Sequence, residues 1–216
     1  MLGLALAAAA QIPFLSHHKA ADFRIYGKMT VFHLNEPLDA PAPVSLTKFP
    51  LNNFTYTLYP TAPSGADGMV PGNTITGVPT QIEVARGIYD DHVTNRVNPM
   101  EFQVIKDELV HLPKAPGGRA LLVYTVLYTG RRLQNCTGIV QMLERKQGKL
   151  NLADQFSYDC TGGAGANWNP KKRQLELRSA DFVPGDKPCC PTLYDHVIFQ
   201  LDGDSVQTKS VELNPR

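Results

Sequence analysis

Short apolar and aromatic runs alternate along the chain with turn-forming residues, and this pattern predicts a mainly β protein. Gly and Pro interrupt the chain too often for long helices, at intervals that suit short strands. We therefore expect antiparallel sheets built from hairpins, in a single domain with an extended N-terminal segment. The predicted strands are Asp22–Leu34, Asn53–Tyr59, Gln81–Tyr89, Ala120–Thr129, Gly138–Arg145, Leu150–Tyr158, Leu175–Phe182, His196–Leu201 and Ser205–Leu213.

These segments differ in how closely they match a strand pattern. Ala120–Thr129 (ALLVYTVLYT) has no polar face, which is typical of a central strand that is buried on both sides. Gln81–Tyr89 (QIEVARGIY) has two interpretations, because its apolar residues fit one side of a helix or a strand that ends at a turn around Gly87. We favour the strand. The last two predicted strands are joined at Asp202-Gly203, a strong hairpin signal.

A second hairpin is predicted where a glycine separates two strand patterns in the middle of the chain. A three-residue loop, Gln147–Lys149, would place Lys146 opposite Leu150. In an antiparallel pair, the residue numbers of opposed positions always add up to the same value. The same register therefore places Cys136 opposite Cys160. A disulfide between them would close a loop and contribute roughly 3 kcal/mol if its geometry is unstrained.

Four cysteines occur in the chain, at Cys136, Cys160, Cys189 and Cys190. Their spacing favours disulfides over zinc or thioredoxin chemistry, and the cross-strand pair leaves Cys189 with Cys190. A metal site at the adjacent pair would need further ligands such as His196, and a redox-active pair would need a cationic neighbour, for which Lys187 is the candidate. We expect a structural bridge that holds the turn between two strands.

The chain divides into three predicted parts: 1–21 as a signal peptide or apolar N-terminal segment, 22–49 as a strand and a proline-rich linker, and 50–216 as the β-rich domain. Met1–Phe14 is almost uninterruptedly apolar and contains an A-x-A-like cleavage pattern, although nothing basic precedes it. It is too short to span a bilayer. The alternative is a buried N-terminal helix, and a retained apolar segment would offer a route to membrane association.

Charge narrows the range of partners. The 216 residues contain 21 Lys plus Arg and 20 Asp plus Glu, so the formal net charge is +1. This balance supplies no broad field that would attract nucleic acid. Paired cysteines together with an export signal indicate an oxidising compartment outside the cytoplasm.

Candidate chemistry is sparse. The sequence has no G-x-S-x-G, H-E-x-x-H or Walker phosphate-loop motif. Asp90, Asp91 and His92 offer groups for a general base or a metal site, but a solvated polar cluster beside a turn explains them better. Gly162–Gly165 is interpreted as a flexible loop, and Trp168 beyond it is either an exposed recognition residue or a lid over the core. We assign no catalytic, cofactor-binding or metal-binding residue.

The C-terminal third of the chain resembles a known family. Pro188–Thr192 (PCCPT), followed by the strand and turn of Val197–Gly203, resembles the CCP segment of bacterial LppP/LprE-like exported proteins. The resemblance extends upstream through an N-x-T-Y-like strand at Asn53–Tyr56 and a V-x-x-G-x-Y-like strand at Val84–Tyr89. It covers most of residues 50–213 and implies export, without a defined activity.

Two departures bear on what the resemblance implies. No cysteine follows the N-terminal apolar run, so lipid attachment is not expected. Lys114–Arg119 stands where such relatives have an acidic Gly/Asp loop. In family members that contain only the adjacent cysteines, these two have no other cysteine to pair with. The resemblance therefore implies that Cys189 and Cys190 pair with each other.

The sequence carries features of an exported protein but no catalytic motif, and the expected function follows from this combination. We expect a periplasmic or extracellular interaction module, or an accessory subunit of a membrane-associated assembly, with protein partners in the cell envelope. The alternative is an extracytoplasmic hydrolase assembled from distant residues. A cleft that gathers Asp90, Asp91 or His92 with another distant polar group would favour the hydrolase, and a flat apolar patch would favour the module.

Overall fold

The computed structural model describes residues 24–31, 36–41, 43, 45–59, 79–182, 184–203 and 206–215. The predicted signal peptide, 1–21, lies outside the described residues. Within them the protein is mainly β, as expected, and no α-helix occurs. The strands are β1 Arg24–Val31, β2 Glu36–Pro41, β3 Thr55–Leu58, β4 Thr80–Glu83, β5 Ile88–Asp90, β6 Met100–His111, β7 Arg119–Thr129, β8 Asn135–Lys146, β9 Lys149–Asp159, β10 Gly165–Asn169, β11 Gln174–Asp181, β12 Leu193–Leu201 and β13 Val206–Pro215.

All paired strands are antiparallel, and they form three sheets that include a curled half-barrel. The middle sheet has six strands in the order β2-β9-β8-β7-β6-β5. A five-stranded sheet has the order β1-β13-β12-β11-β10, and β3 pairs with β4 alone. Most neighbours are consecutive along the chain, which confirms the prediction of sheets built from hairpins.

The central strands of the six-stranded sheet, β7 to β9, are buried on both faces. Because successive strand residues point to opposite faces, Leu122 packs into the core against the five-stranded sheet while Val123 packs against the β3–β4 pair. In the first core, the rings of Phe156 on β9 and Phe199 on β12 pack together with their centres 4.9 Å apart, which links the two large sheets. In the second core, Tyr56 is fully buried. The sheet thus lies between two apolar layers.

Two buried glutamines of the middle sheet hold β3 and the residue after it. The Gln155 amide nitrogen donates to the Tyr59 carbonyl at 2.7 Å, and its amide oxygen accepts from the Tyr59 N–H at 3.2 Å. Gln141 donates to the Thr57 carbonyl at 2.7 Å and to Gln155 at 3.1 Å. These bonds offset the cost of burying polar groups in an otherwise apolar layer.

The strand prediction for Ala120–Thr129 is confirmed as β7, in which residues 120–125 are buried. The strand interpretation of Gln81–Tyr89 is confirmed as well, and the helical alternative is wrong. The chain turns at Arg86 and Gly87, both with positive φ, so that β4 and β5 belong to different sheets.

The sequence pattern missed β6, which is one of the longest strands. Its register against β7 shifts between Val104 and Lys106, so Ile105 is an extra residue. A bulge of this kind interrupts the two-residue period, and the charges of Lys106, Asp107 and Glu108 hide what remains of it.

The proline-rich stretch within 22–49 is built into the fold, so the linker prediction is wrong for this part of the chain. β2 contains Pro37 and Pro41 and forms an edge of the six-stranded sheet beside β9. Proline lacks a backbone donor, and an edge strand tolerates that loss. β1 forms an edge of the five-stranded sheet in the same way.

The turn between β8 and β9 is shorter than predicted. Lys146 lies opposite Lys149 rather than Leu150, because Gln147 and Gly148 both adopt the positive φ of a two-residue hairpin turn. A bulge near Ala153 then shifts the register by one residue. Beyond this bulge the register is the one that the sequence predicted, so Cys136 lies level with Cys160.

Close packing of an aromatic ring on Gly138 gives a test of this hairpin. A Cβ at Gly138 would lie 2.1 Å from the Tyr158 ring, so we expect Gly138→Ala to destabilise the protein by about 1–3 kcal/mol through overpacking. Nothing lies within 4 Å of the corresponding position at Gly165, and Gly165→Ala is the matched control, expected to stay within about 0.5 kcal/mol. Urea unfolding measures both, and equal stabilities would contradict the register.

Candidate functional site

The cross-strand cysteines meet where the chain leaves the middle sheet. The structure pairs Cys136, at the start of β8, with Cys160, directly after β9, with a Cα–Cα distance of 5.3 Å. The Cys160 N–H donates to the Cys136 carbonyl at 3.2 Å. The pairing agrees with the sequence expectation, because the short turn and the Ala153 bulge compensate each other.

The segment after Cys160 crosses to the five-stranded sheet through a 3₁₀ turn, Thr161–Gly163. The Thr161 N–H donates to Asp159 at 2.8 Å, and the Asp159 N–H donates to the Ser179 hydroxyl at 3.0 Å. Gly162 has positive φ, and a Cβ there would lie 2.6 Å from the ring of Pro191. Gly162–Gly165 is therefore only partly the loop that the sequence predicted: Gly162 is closely packed within the 3₁₀ turn, and Gly165 begins β10.

The adjacent cysteines lie on the other side of the same corner. Cys189 and Cys190 form a vicinal pair with a Cα–Cα distance of 3.8 Å, in the exposed turn between β11 and β12. The Cys190 N–H donates to the Lys187 carbonyl at 2.9 Å, and Pro191 after it is buried against Gly162. Among the described residues no group of three His, Cys, Asp or Glu side chains could hold a metal ion.

Trp168 lies in β10, and its side chain is 5% exposed within the core between the two large sheets. This is the position of a lid over the core. The alternative of an exposed recognition residue is not supported, because a ligand could reach the indole only by displacing core packing.

Two carboxylates lie on the core-facing side of the five-stranded sheet. Asp195 on β12 lies opposite Ser179 on β11 in the strand register. Asp181, two residues after Ser179, is the next β11 residue on the same face. Neither oxygen of Asp195 has a hydrogen-bond partner among the described residues. Burial raises the pKa of Asp195 to about 7, and the charge of Asp181 is the second cause.

A cavity of about 260 Å³ lies on the outer face of the five-stranded sheet. Its polar groups include Glu176, Arg178 and His196, and the Arg178 guanidinium lies 3.8 Å from the centre of the Tyr194 ring. Arg178 is thus already engaged by a cation–π contact. His196 faces this cavity, opposite Arg178, and is not part of a metal-ligand group.

A second cavity of about 370 Å³ lies between the β5–β6 loop and the β7–β8 turn, and we call it the arginine cavity. It includes one residue that the sequence singled out, His92. The structure adds three arginines that sequence reasoning missed. Its lining residues are His92, Arg96, Pro99, Arg131, Arg132 and Leu133.

The three polar residues Asp90, Asp91 and His92 have separate roles in this loop. The Asp90 carboxylate contacts His92 Nδ1 at 2.5 and 2.6 Å. Hydrogen bonds from the backbone N–H and then the ring of His92 lower the pKa of Asp90 below its usual value. Asp91 instead accepts the Met100 N–H at 2.6 Å and so shapes the loop. The prediction of a polar cluster beside a turn fits Asp90 and Asp91, while His92 also borders a cavity.

Exposed apolar side chains concentrate along one edge of the middle sheet. In the described part of the chain, every large apolar side chain that is strongly exposed lies on β5, β6 or the loop between them, and β5 is the outermost strand. We call this set the apolar edge. It consists of Ile88, Val93, Val97, Ile105 and Leu109.

Comparisons with known proteins give no relative. No protein-family model, no curated protein and no solved structure has a significant match to the chain. No helix among the described residues has the length and apolar character needed to cross a membrane.

The two cysteine pairs are expected to differ in their effect on stability. Replacing Cys136 and Cys160 by serine should lower the free energy of unfolding by about 3 kcal/mol, because their separation of 24 residues closes a sizeable loop. Replacing Cys189 and Cys190 should cost less than about 1 kcal/mol, because adjacent residues leave little chain entropy to remove. Denaturant unfolding of the two double variants compares them directly.

The Cys189–Cys190 pair should instead stabilise the turn between β11 and β12 that contains it. In the Cys189→Ser/Cys190→Ser variant, we expect faster hydrogen exchange at 184–195 while the strands of the middle sheet keep their protection. Unchanged exchange in this turn would contradict a structural role. Non-reducing peptide mapping that links Cys136 or Cys160 to the adjacent pair would contradict the connectivity.

Because of the buried Asp195, we expect the stability of the protein to fall as pH rises. Since its pKa is raised on folding to about 7, the native state holds a proton that the unfolded chain releases, and stability is lost between about pH 4 and pH 7. One pKa unit corresponds to about 1.4 kcal/mol, so Asp195→Asn should stabilise the protein at pH 8 by up to roughly 4 kcal/mol and have little effect at pH 4. Glu176→Gln, on the outer face of the same sheet, is the control. Equal gains at both pH values would refute the assignment.

Proposed function

We propose that the protein is an exported, non-catalytic interaction module of the cell envelope that binds a protein partner through its apolar edge. The observation that carries this proposal is the confinement of strong apolar exposure to one edge of one sheet. Soluble proteins rarely expose grouped apolar side chains without a partner. The exposed fractions reach 55% at Ile105 and 75% at Val97.

The backbone beside this edge supports the same assignment. β5 pairs only with Glu101–Gln103, so the later part of β6, 105–111, borders no other described strand on that side. A partner segment could add to this edge through main-chain hydrogen bonds while Ile105 and Leu109 contact its side chains. Lys106 lies 4.3 Å from the Tyr124 ring centre, and Asp107 and Glu108 complete a polar surround of the kind found at interface rims.

Export is part of the proposal and has separate support. Two cysteine pairs at disulfide distance suit an oxidising compartment. The apolar run Met1–Phe14 and the resemblance of Pro188–Thr192 to LppP/LprE-like exported proteins point the same way. On this proposal the protein is periplasmic or extracellular, and the N-terminal run either directs export or adds a membrane contact.

The hydrolase alternative has one observation in its favour, because the arginine cavity gathers His92, next to Asp90, with the distant residues Arg131 and Arg132. The described residues that line it include no serine, threonine or cysteine that could serve as a nucleophile. The groups present suit binding of an anion better than hydrolysis.

Site-specific photo-crosslinking in cells that produce the protein tests the module. A photoreactive residue at Ile105 or Leu109 should capture a discrete envelope protein, whereas the same residue at exposed Lys171, in the β10–β11 turn, should not. Ile105→Asp should weaken recovery of that partner by at least about tenfold, since burying an unpaired charge costs more than 1.4 kcal/mol.

Two outcomes would count against the module. Equal capture at Lys171 would remove the apolar edge as the binding surface. Hydrolysis of a model ester or phosphoester by the purified chain, abolished by His92→Ala, would support the hydrolase instead.

A further inference from the structure

The arginine cavity offers a recognition chemistry that differs from the apolar edge. Its cationic groups come from two segments that are distant in sequence: Arg96 from the β5–β6 loop, and Arg131 and Arg132 from the β7–β8 turn. The segments meet because the first residue of β6, Met100, pairs with the last residue of β7, Thr129. The sheet register therefore assembles the cavity.

Hydrogen bonds within the β5–β6 loop hold its shape. The Asp91 carbonyl accepts the backbone N–H groups of Thr94 at 2.9 Å and Asn95 at 2.7 Å. The Asn95 side chain donates to the Asn98 carbonyl at 2.7 Å and accepts the Asn98 N–H at 3.1 Å. These bonds span the position of Arg96, so the backbone that carries its side chain is fixed before any ligand binds.

The β7–β8 turn is constrained in the same way. Gly130 and Leu133 both have positive φ, and the Leu133 N–H donates to the Gly130 carbonyl at 2.7 Å. The Arg132 N–H donates to the Gln134 side chain at 2.8 Å. Both guanidinium groups therefore extend from a closed turn.

The charge in the cavity is poorly balanced by the protein itself. Within the described residues, none of the three arginines forms an ion pair or a side-chain hydrogen bond. The nearby carboxylates are already engaged: Asp90 contacts His92, and Asp91 accepts the Met100 N–H and the Asn95 side chain. The three arginines that line the cavity are exposed and thus remain available to an external anion.

We propose that the arginine cavity binds a small phosphate-bearing anion. Guanidinium groups present paired N–H donors that match the oxygens of a phosphate, and several of them around one site favour a multiply charged group over a single carboxylate. A cavity of about 370 Å³ suits a ligand with one or two phosphate groups. This site does not depend on the protein partner of the proposed function.

Titration calorimetry on the full chain with inorganic phosphate and with pyrophosphate tests the site. We expect saturable binding with one site per chain, tighter for pyrophosphate because it carries more charge. Arg131→Gln/Arg132→Gln should weaken binding by at least about tenfold, given that a hydrogen bond to a charged group contributes roughly 1.5–3 kcal/mol. Lys171→Gln/Lys172→Gln removes the same two charges from the β10–β11 turn and should change affinity by less than about twofold.

Three results would overturn the proposal. One is the absence of saturable binding at low ionic strength by a chain with native thermal unfolding. Another is equal weakening by the arginine and lysine variants, which would indicate general charge attraction. The third is binding to vesicles that contain anionic phospholipid without binding to either free anion, which would assign the arginines to a membrane surface. Loss of phosphate binding with retained crosslinking at Ile105 would leave the proposed function intact.

Discussion

Burial of the central strands of the six-stranded sheet on both faces is the constraint on which the rest of the structure depends. Alternate residues of its central strands are apolar in both directions, so the sheet needs two separate covers. The five-stranded sheet supplies one and the β3–β4 pair supplies the other. Trp168 lies in the first of these two layers, and Gln141 and Gln155 bond to the backbone at Thr57 and Tyr59 in the second.

The crossing between the two large sheets is the place where that packing needs extra support. A single short turn, Thr161–Gly163, carries the chain from one layer to the next. Cys136–Cys160 holds its start, and Pro191, directly after the vicinal cysteines, packs on Gly162. Two covalent links of different reach therefore act on one corner. Asp195 lies on the neighbouring sheet, where burial and then the charge of Asp181 raise the pKa of its carboxyl group.

The apolar edge and the arginine cavity meet at the β5–β6 loop, and the turn that carries Arg131 and Arg132 lies directly before β8 and Cys136. The edge strand β5 pairs only with the start of β6, and the loop between them carries Val93, Val97 and Arg96. An apolar edge beside a cationic cavity allows two partners of different chemistry on adjacent surfaces. The edge would recognise a protein by burial of apolar area, and the cavity would recognise an anion by charge-assisted hydrogen bonds. Neither requires the core to rearrange.

The sequence by itself determined the β class, the hairpin turns and the buried centre of the middle sheet, because these depend on local conformation and on a two-residue period. It also indicated the Cys136–Cys160 register, through a turn one residue too long that a bulge corrects. Only the tertiary structure decided that the proline stretch forms an edge strand, that β6 exists behind its bulge, and that Trp168 is buried. His92 stood out in the sequence, whereas Arg131 and Arg132 did not. Their proximity arises from the pairing of Met100 with Thr129, and long-range strand pairing leaves no local signal in the chain.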